Sequence, residues 1–162
     1  MAPLSLAQAS SMVTKSVFTH AIFVDAWASA SVPFGKIYYP GEDEKKWHYG
    51  LDIKAKKGTL LHSPADAKVL YAGKKDGFGY TVDILFEDGR KMRFSSLYKT
   101  LVKKGDKIKA GKYIGKVGDT AGGNSGAHLH LEVYKDGEPQ DPANVKGLVI
   151  YEDCCAMEGS HE

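Results

Sequence analysis

The sequence predicts a mainly β fold of antiparallel strands. Three observations carry this. Helical periodicity is nearly absent between residues 32 and 150. In its place come short runs that alternate apolar and polar residues. Glycine punctuates those runs at close spacing, twice as an Asp-Gly pair, at 88–89 and 136–137. Short strands joined by tight turns favour antiparallel pairing over the parallel sheets of alternating β and α units.

The elements follow in order. Residues 1–31 are Ala/Ser-rich without a clear period and read as an N-terminal extension. Within it, Lys15 precedes "SVFTHAIFVDAWASA", and Ala28-Ser29-Ala30 resembles a signal-peptidase site. His20 and Asp25 interrupt this short run, which also starts late. The segment therefore reads as an unordered or helical extension rather than a secretory signal. The character changes at Val32-Pro33-Phe34-Gly35. "AKVLYAG" (67–73) and "YTVDILFEDG" (80–89) alternate, and "RKMRFSSLY" (90–98) is the partner strand across Asp88-Gly89, giving a hairpin. "KYIGKVG" (112–118) and "HLHLEVYKDG" (128–137) follow the same rule. The domain is therefore expected over residues 32–143, followed by an acidic, mixed tail at 144–162.

Bulk composition narrows the function. The 162 residues fit one domain with appended ends. An apolar fraction of 43% supports a real core. The 22 Lys and Arg against 20 Asp and Glu give +2, and the charges are interspersed, so no nucleic-acid partner is expected. "KTLVKKGDKIKAGKYIGK" (99–116) reads as a solvated face. No run approaches the ~20 apolar residues that cross a bilayer, so no membrane span is expected. Cys154 and Cys155 are adjacent, and there is no other cysteine. Neighbours rarely bridge, so no disulfide framework follows, and a thiolate zinc site is excluded. Any metal must sit on histidine and carboxylate.

Two of the chain's six histidines, His128 and His130, stand two apart on one strand. They share a face, with Leu129 and Leu131 on the other. A single histidine there would read as a half-polar strand facing water. Two are harder to dismiss, because the approach loop "AGGNSGA" (121–127) consists almost wholly of small residues, which let another group come close. The second clue is "HYGLD", which sets His48 and Asp52 four apart. Both are good zinc ligands, and catalytic zinc usually takes three protein ligands and keeps one open position. His48, Asp52 and one of the histidine pair would make that set.

At these residues the chain resembles a known family. "WHYGLDIKAKKGTLLHSPADAKVLYAG" (47–73) is similar to the first motif block of the lysostaphin/LytM-type zinc metalloendopeptidases. "LVKKGDKIKAGKYIGKVGDTAGGNSGAHLHLEV" (101–133) is similar to their second block. The resemblance covers roughly residues 32–143. It implies a two-sheet, groove-forming β fold of the duplicated hybrid motif type, with Zn2+ on the groove floor. It implies cleavage of peptide bonds in peptidoglycan cross-links, often beside glycine, and an extracytoplasmic setting: cell envelope, secreted or phage-associated. By position, His48, Asp52 and His130 match the metal ligands. His128 matches one of two catalytic histidines that handle the water and the transition state.

The match fails at one place. The family carries its second catalytic histidine in a motif like Tyr-Ala-His-Leu. Here the residues are Phe94-Ser95-Ser96-Leu97, and no histidine lies between His62 and His128. His62 itself reads as structural or surface. A positioned acid or base supplies about 10²–10⁴-fold, and a serine hydroxyl cannot hold a proton near neutral pH. The expectation is an endopeptidase-type domain impaired by Ser96 and set at the groove edge, unless Tyr49 or Tyr98 substitutes. The alternative is a pseudo-peptidase: a zinc-stabilised groove that binds cell-wall peptide or a protein partner. A biotinyl-type carrier or a sugar-phosphotransfer module ranks below both. The first lacks an exposed hairpin-tip lysine signature, and the second has no need for Asp52 and His130 to meet at a metal.

Overall fold

The computed structural model describes residues 17–38, 41–123 and 126–152. Cys154, Cys155, Asn124 and Ser125 of the small-residue loop, and the outer parts of both ends lie outside the described residues. The strands are β1 (Ala28–Val32), β2 (Gly35–Ile37), β3 (Lys46–His48), β4 (Leu51–Ala55), β5 (Leu60–His62) and β6 (Ala67–Lys75). They continue with β7 (Gly79–Phe86), β8 (Lys91–Thr100), β9 (Lys107–Ile108), β10 (Tyr113–Val117), β11 (His128–Lys135) and β12 (Glu138–Gln140). The fold is mainly antiparallel β, as the sequence predicts. Its two sheets are unequal. Ten strands form one sheet, with β1-β4-β11-β8-β7-β6-β9 as its main path, and β2 with β3 forms the other.

The expected hairpin is present, and the second Asp-Gly turn also joins two paired strands. β7 and β8 meet across the Asp88-Gly89 turn, where Phe86 N–H donates to Arg90 O at 2.9 Å. β11 and β12 meet across Asp136 and Gly137, at φ 51° and 78°. Two consecutive positive φ values define the primed turn that suits the right-handed twist of paired strands.

The period-2 pattern becomes one apolar face. Leu51, Ile53, Val82, Ile84, Phe86, Met92, Phe94, Leu129, Leu131 and Val133 are all buried. They stand opposite one another in register: Leu129 with Ile53, Leu131 with Phe94, and Ile84 with Met92. Asp52, Asp83, Arg93, Ser95, His130 and Glu132 fall on the alternate positions and so share the other face.

Segments on both sides of residues 32–143 pack with the strands between them. Residue 32 is the last residue of a paired strand, since β1 lies against β4. Residues 17–31 are neither helical nor a detached extension. Phe18, Ile22 and Phe23 are buried in the same core, and Phe18 packs edge-on against Phe86 at 5.2 Å. Ala28-Ser29-Ala30, read as a cleavage-site look-alike, pairs with Ala55, Lys54 and Ile53. Residues beyond 143 also join: Phe23 N–H donates to Ile150 O at 2.9 Å, and Leu148 and Tyr151 pack on the core. The physical reason is that the core's outer face needs cover, and the two ends supply it together. Phe23→Ala should therefore destabilise the domain by about 3–5 kcal/mol in urea unfolding, the cost of a large buried ring. A detached extension would show almost no change.

Candidate metal centre

His48, Asp52 and His130 come together although they sit on β3, β4 and β11. One ligand atom from each lies within 4.8 Å of the others. Sheet register does most of this. His130 stands directly opposite Asp52, and Ser95 stands opposite His130 on its other side. His48 arrives from the small sheet across a tight crossing at Gly50. A Cβ there would meet Leu131 O at 2.5 Å and the His130 ring at 2.9 Å. Glycine in "HYGLD" is thus a requirement of close approach.

Each imidazole is oriented by a second contact. His48 Nδ1–H donates to Pro33 O at 2.9 Å, which leaves Nε2 at 3.4 Å from Asp52 Oδ1. His130 is turned the other way: Nδ1 lies 2.8 Å from Asp52 Oδ1, and Nε2–H donates to Glu132 Oε2 at 2.9 Å. A zinc ion about 2.0–2.1 Å from each of three tetrahedral ligand atoms would space those atoms about 3.4 Å apart. His48 and Asp52 already have that spacing, and His130 needs to retreat by about 0.6 Å from its hydrogen bond. Two nitrogens, one carboxylate and outer ring nitrogens anchored on a carbonyl and a carboxylate are a donor set that suits zinc.

Glu132 is the residue that sequence reasoning missed. Its side chain is 4% exposed, and Tyr134 O–H donates to its Oε1 at 2.8 Å. The signal was present, because His128, His130 and Glu132 are i, i+2 and i+4 on one strand face.

The electrostatics follow from this packing. Burial pushes the Asp52 carboxyl up, but hydrogen bonds and charge from His130 and His48 outweigh it and hold the group well below the usual carboxylate range. Burial pushes His130 down, yet its bonds to Asp52 and Glu132 prevail and raise it to about 9. Glu132 is likewise lowered: burial opposes the shift, and the hydrogen bonds from His130 and Tyr134 overcome it.

His128 lines the same cleft, which encloses about 310 Å³, and stands outside the three-ligand group. Its Nδ1–H donates to Gly126 O at 2.9 Å, so Nε2 is the nitrogen left to accept. Tyr49 and Trp47 are half-exposed and line the cleft. Tyr98 does not line it and carries Lys57 over its ring. His62 also stands apart, with Nδ1 bonded to Ile22 O. A larger depression of about 530 Å³, around Asp66, Phe86 and Ile108, holds none of the clustered residues. The chemistry decides for the smaller cleft.

Ser96 departs from the expected groove edge. Ser95 lines the cleft, whereas Ser96 is wholly buried and its Oγ accepts Ala121 N–H at 3.4 Å. The cause is a bulge. Three residues of β8, from Phe94 to Leu97, span two of β7, from Val82 to Tyr80, and Ser96 adopts φ 62°. An extra residue re-aims the side chains around it. Thr120 seals the bulge, accepting Tyr80 N–H at 3.0 Å and donating to Leu97 O at 2.5 Å.

Residues 46–142 match the model of peptidase family M23. The chain belongs to that family. M23 peptidases are zinc enzymes, and the His48–Asp52–His130 group of this M23 chain could hold a metal ion. The DD-carboxypeptidase/endopeptidase Mpg of Neisseria meningitidis serogroup B is 33% identical over 115 residues, covering 71% of the chain and 26% of Mpg. The chain thus spans about a quarter of that relative's length. A zinc-containing peptidase from Vibrio cholerae aligns over 82% of the chain and 41% of its own, at 30% identity and TM-score 0.72. The catalytic domain of lysostaphin from Staphylococcus simulans aligns over 71% and 89%, at 30% identity and TM-score 0.62. A chain from the complex of SpoIIIAH and SpoIIQ aligns over 78% and 98%, at 25% identity and TM-score 0.67.

The His130 shift gives a pH dependence for metal uptake by this M23 domain. To serve as a metal ligand His130 Nδ1 would have to lose its proton, and the bonds to Asp52 and Glu132 hold the imidazolium up to about pH 9. The sign is therefore that acid weakens binding. At pH 7, uptake of one Zn2+ should release close to one proton, and affinity should rise with pH up to about 9. Titration calorimetry in buffers of differing ionisation enthalpy checks this, and a binding heat independent of buffer would contradict it.

Proposed function

We propose that this chain is a zinc-dependent endopeptidase-type domain directed at the peptide cross-links of peptidoglycan, with hydrolysis impaired at Ser96. In this reading His48, Asp52 and His130 are the zinc ligands. His128 is the catalytic residue, and an extracytoplasmic setting follows from the location of the substrate. The observation that carries it is the convergence of those three ligand atoms in a cleft that His128 also lines.

Zinc, when bound, supplies Lewis acidity for polarising a peptide carbonyl and acidifying water. The protein's own groups do the rest. His128 has Nδ1 tied to Gly126 O, so its Nε2 accepts a proton from water and returns it to the leaving amine. Ala121, at the start of the small-residue loop, and the aromatic rings of Trp47 and Tyr49 flank the space for an extended peptide. At position 96 a hydroxyl stands in place of a second imidazole, and it is occupied by the Ala121 amide. Of the two substitute tyrosines, Tyr49 is the one beside the cleft.

The second reading is a binding module that keeps the zinc and the groove without turnover. The buried serine favours it, as does the likeness to SpoIIQ, whose solved form is a complex with another protein.

Ser96→His distinguishes them. Histidine tolerates positive φ better than most side chains, so the bulge can accept it, although the ring must displace the Ala121 contact. Wild type should bind about one zinc per chain and cleave purified peptidoglycan slowly. The variant should be faster, by up to the ~10²–10⁴-fold of a positioned acid or base, and by less if its surroundings hold the ring loosely. Strong wild-type cleavage that the substitution leaves unchanged would end the impairment reading. Two inactive proteins with zinc bound would favour the binding module over an enzyme.

A further inference from the structure

We infer that Arg93 is a positioning residue for the metal centre, anchored by Asp83 and bracing His130 through Glu132 and Phe78. The inference rests on the reading that His48, Asp52 and His130 hold zinc.

The argument begins with register. Arg93 pairs with Asp83 across β7–β8 and with Glu132 across β8–β11. The three side chains therefore form one row on the cleft face of the sheet, beside the row of Ser95, His130 and Asp52. Their charges run minus, plus, minus. Arg93 meets Asp83 as a fork: Nε–H donates to Oδ1 at 2.8 Å and Nη2–H to Oδ2 at 3.0 Å. Two parallel bonds fix the guanidinium plane as well as its position. Its third nitrogen, Nη1, is 3.6 Å from Glu132 Oε1.

From there the bracing takes two routes. Glu132 uses both oxygens: Oε1 faces Arg93 and Tyr134, and Oε2 accepts from His130 Nε2–H. Arg93 also lies over the Phe78 ring at 4.6 Å, and that ring packs 6.1 Å from His130. The imidazole is therefore held at its far nitrogen and against one side. Both contacts leave Nδ1 as the atom facing Asp52. Without Arg93, Glu132 loses its cation and Phe78 loses its cover, and His130 becomes free to offer either nitrogen.

A purely structural role is the competing account. A charged row buried on one side and part-buried on the other is a poor way to stabilise a sheet, since apolar replacements of similar volume often do as well or better. A row that orients a ligand has a reason to be charged. Lysine cannot substitute, because a point charge lacks the planar fork.

The test uses the full chain with Arg93→Lys, Asp83→Asn and, as a control, Arg90→Lys. Arg90 is ion-paired with Asp88 at the hairpin turn, outside this row. Zinc affinity is read by chelator competition, folding by the melting temperature of the metal-free protein, and the His130 ring by long-range 15N–1H spectra of the zinc-loaded protein. Arg93→Lys and Asp83→Asn should each weaken zinc binding by about 10-fold or more. Their spectra should lose the single Nε2–H form of His130, and Arg90→Lys should match wild type. Wild-type zinc affinity with an unchanged His130 spectrum in both row variants would overturn the inference, even if both melt earlier. A wild-type chain that takes up no zinc would instead sink the metal reading, and this inference with it.

Discussion

His130 stands between Asp52 on one neighbouring strand and Ser95 on the other, and this pairing of β4, β11 and β8 constrains the rest of the molecule. The side-chain period of a strand is two, so a slip of one residue would exchange the faces of β11. His128, His130 and Glu132 would enter the core, and Leu129, Leu131 and Val133 would enter the cleft. The cost of burying three ionisable groups while exposing three fully buried aliphatic ones excludes that register. The hydrophobic face thus does more than hold the sheet together. It determines which atoms meet on the opposite side.

The cluster that results is held under electrostatic tension that its neighbours resolve. Asp52 and Glu132 flank one imidazole, and both carboxylates are kept charged by the hydrogen bonds they accept. Arg93, half-buried and forked onto Asp83, adds the cation that such a pair of carboxylates needs. Burial alone would push every one of these acids toward neutrality. Their charges survive because each has a partner within hydrogen-bond or ion-pair distance. That is also the state in which a divalent cation is best received.

The Ser95–Ser96 bulge is where fold and chemistry pull in different directions. A serine at positive φ costs of order 1 kcal/mol or more, and it persists because Phe78 O, Ala121 N and the Thr120 plug hold the backbone around it. The bulge puts Ser95 in the cleft wall and hides Ser96 behind Ala121. Position 96 thus has the special backbone of a functional site and a side chain without a titratable group. His48, Asp52, His130 and His128 need no such distortion, because regular strands carry them.

The sequence by itself determined the β class, the Asp88-Gly89 hairpin, the Asp136-Gly137 turn and the two motifs, "HYGLD" and His-x-His, that carry candidate ligands. Each is a local or period-2 signal, and such signals are read without knowing which strands are neighbours. Spacing brought His48, Asp52 and the His128/His130 pair to notice because few side chains can bind zinc, and the family resemblance singled out His130. What it could not determine was cross-strand company. Glu132 looked like one acid among twenty, and Asp83 and Arg93 looked like ordinary surface charges on alternating strands. Only the order β4-β11-β8-β7 makes them a row behind His130. The same limit explains the ends of the domain. Phe18, Ile22 and Phe23 have no period of their own, and their burial depends on Phe86 and on a C-terminal segment more than a hundred residues away. It explains Ser96 as well, since a bulge is a mismatch between two strands and exists only once they are paired. Sequence sets which side of a strand a residue takes, and tertiary structure decides what it meets there.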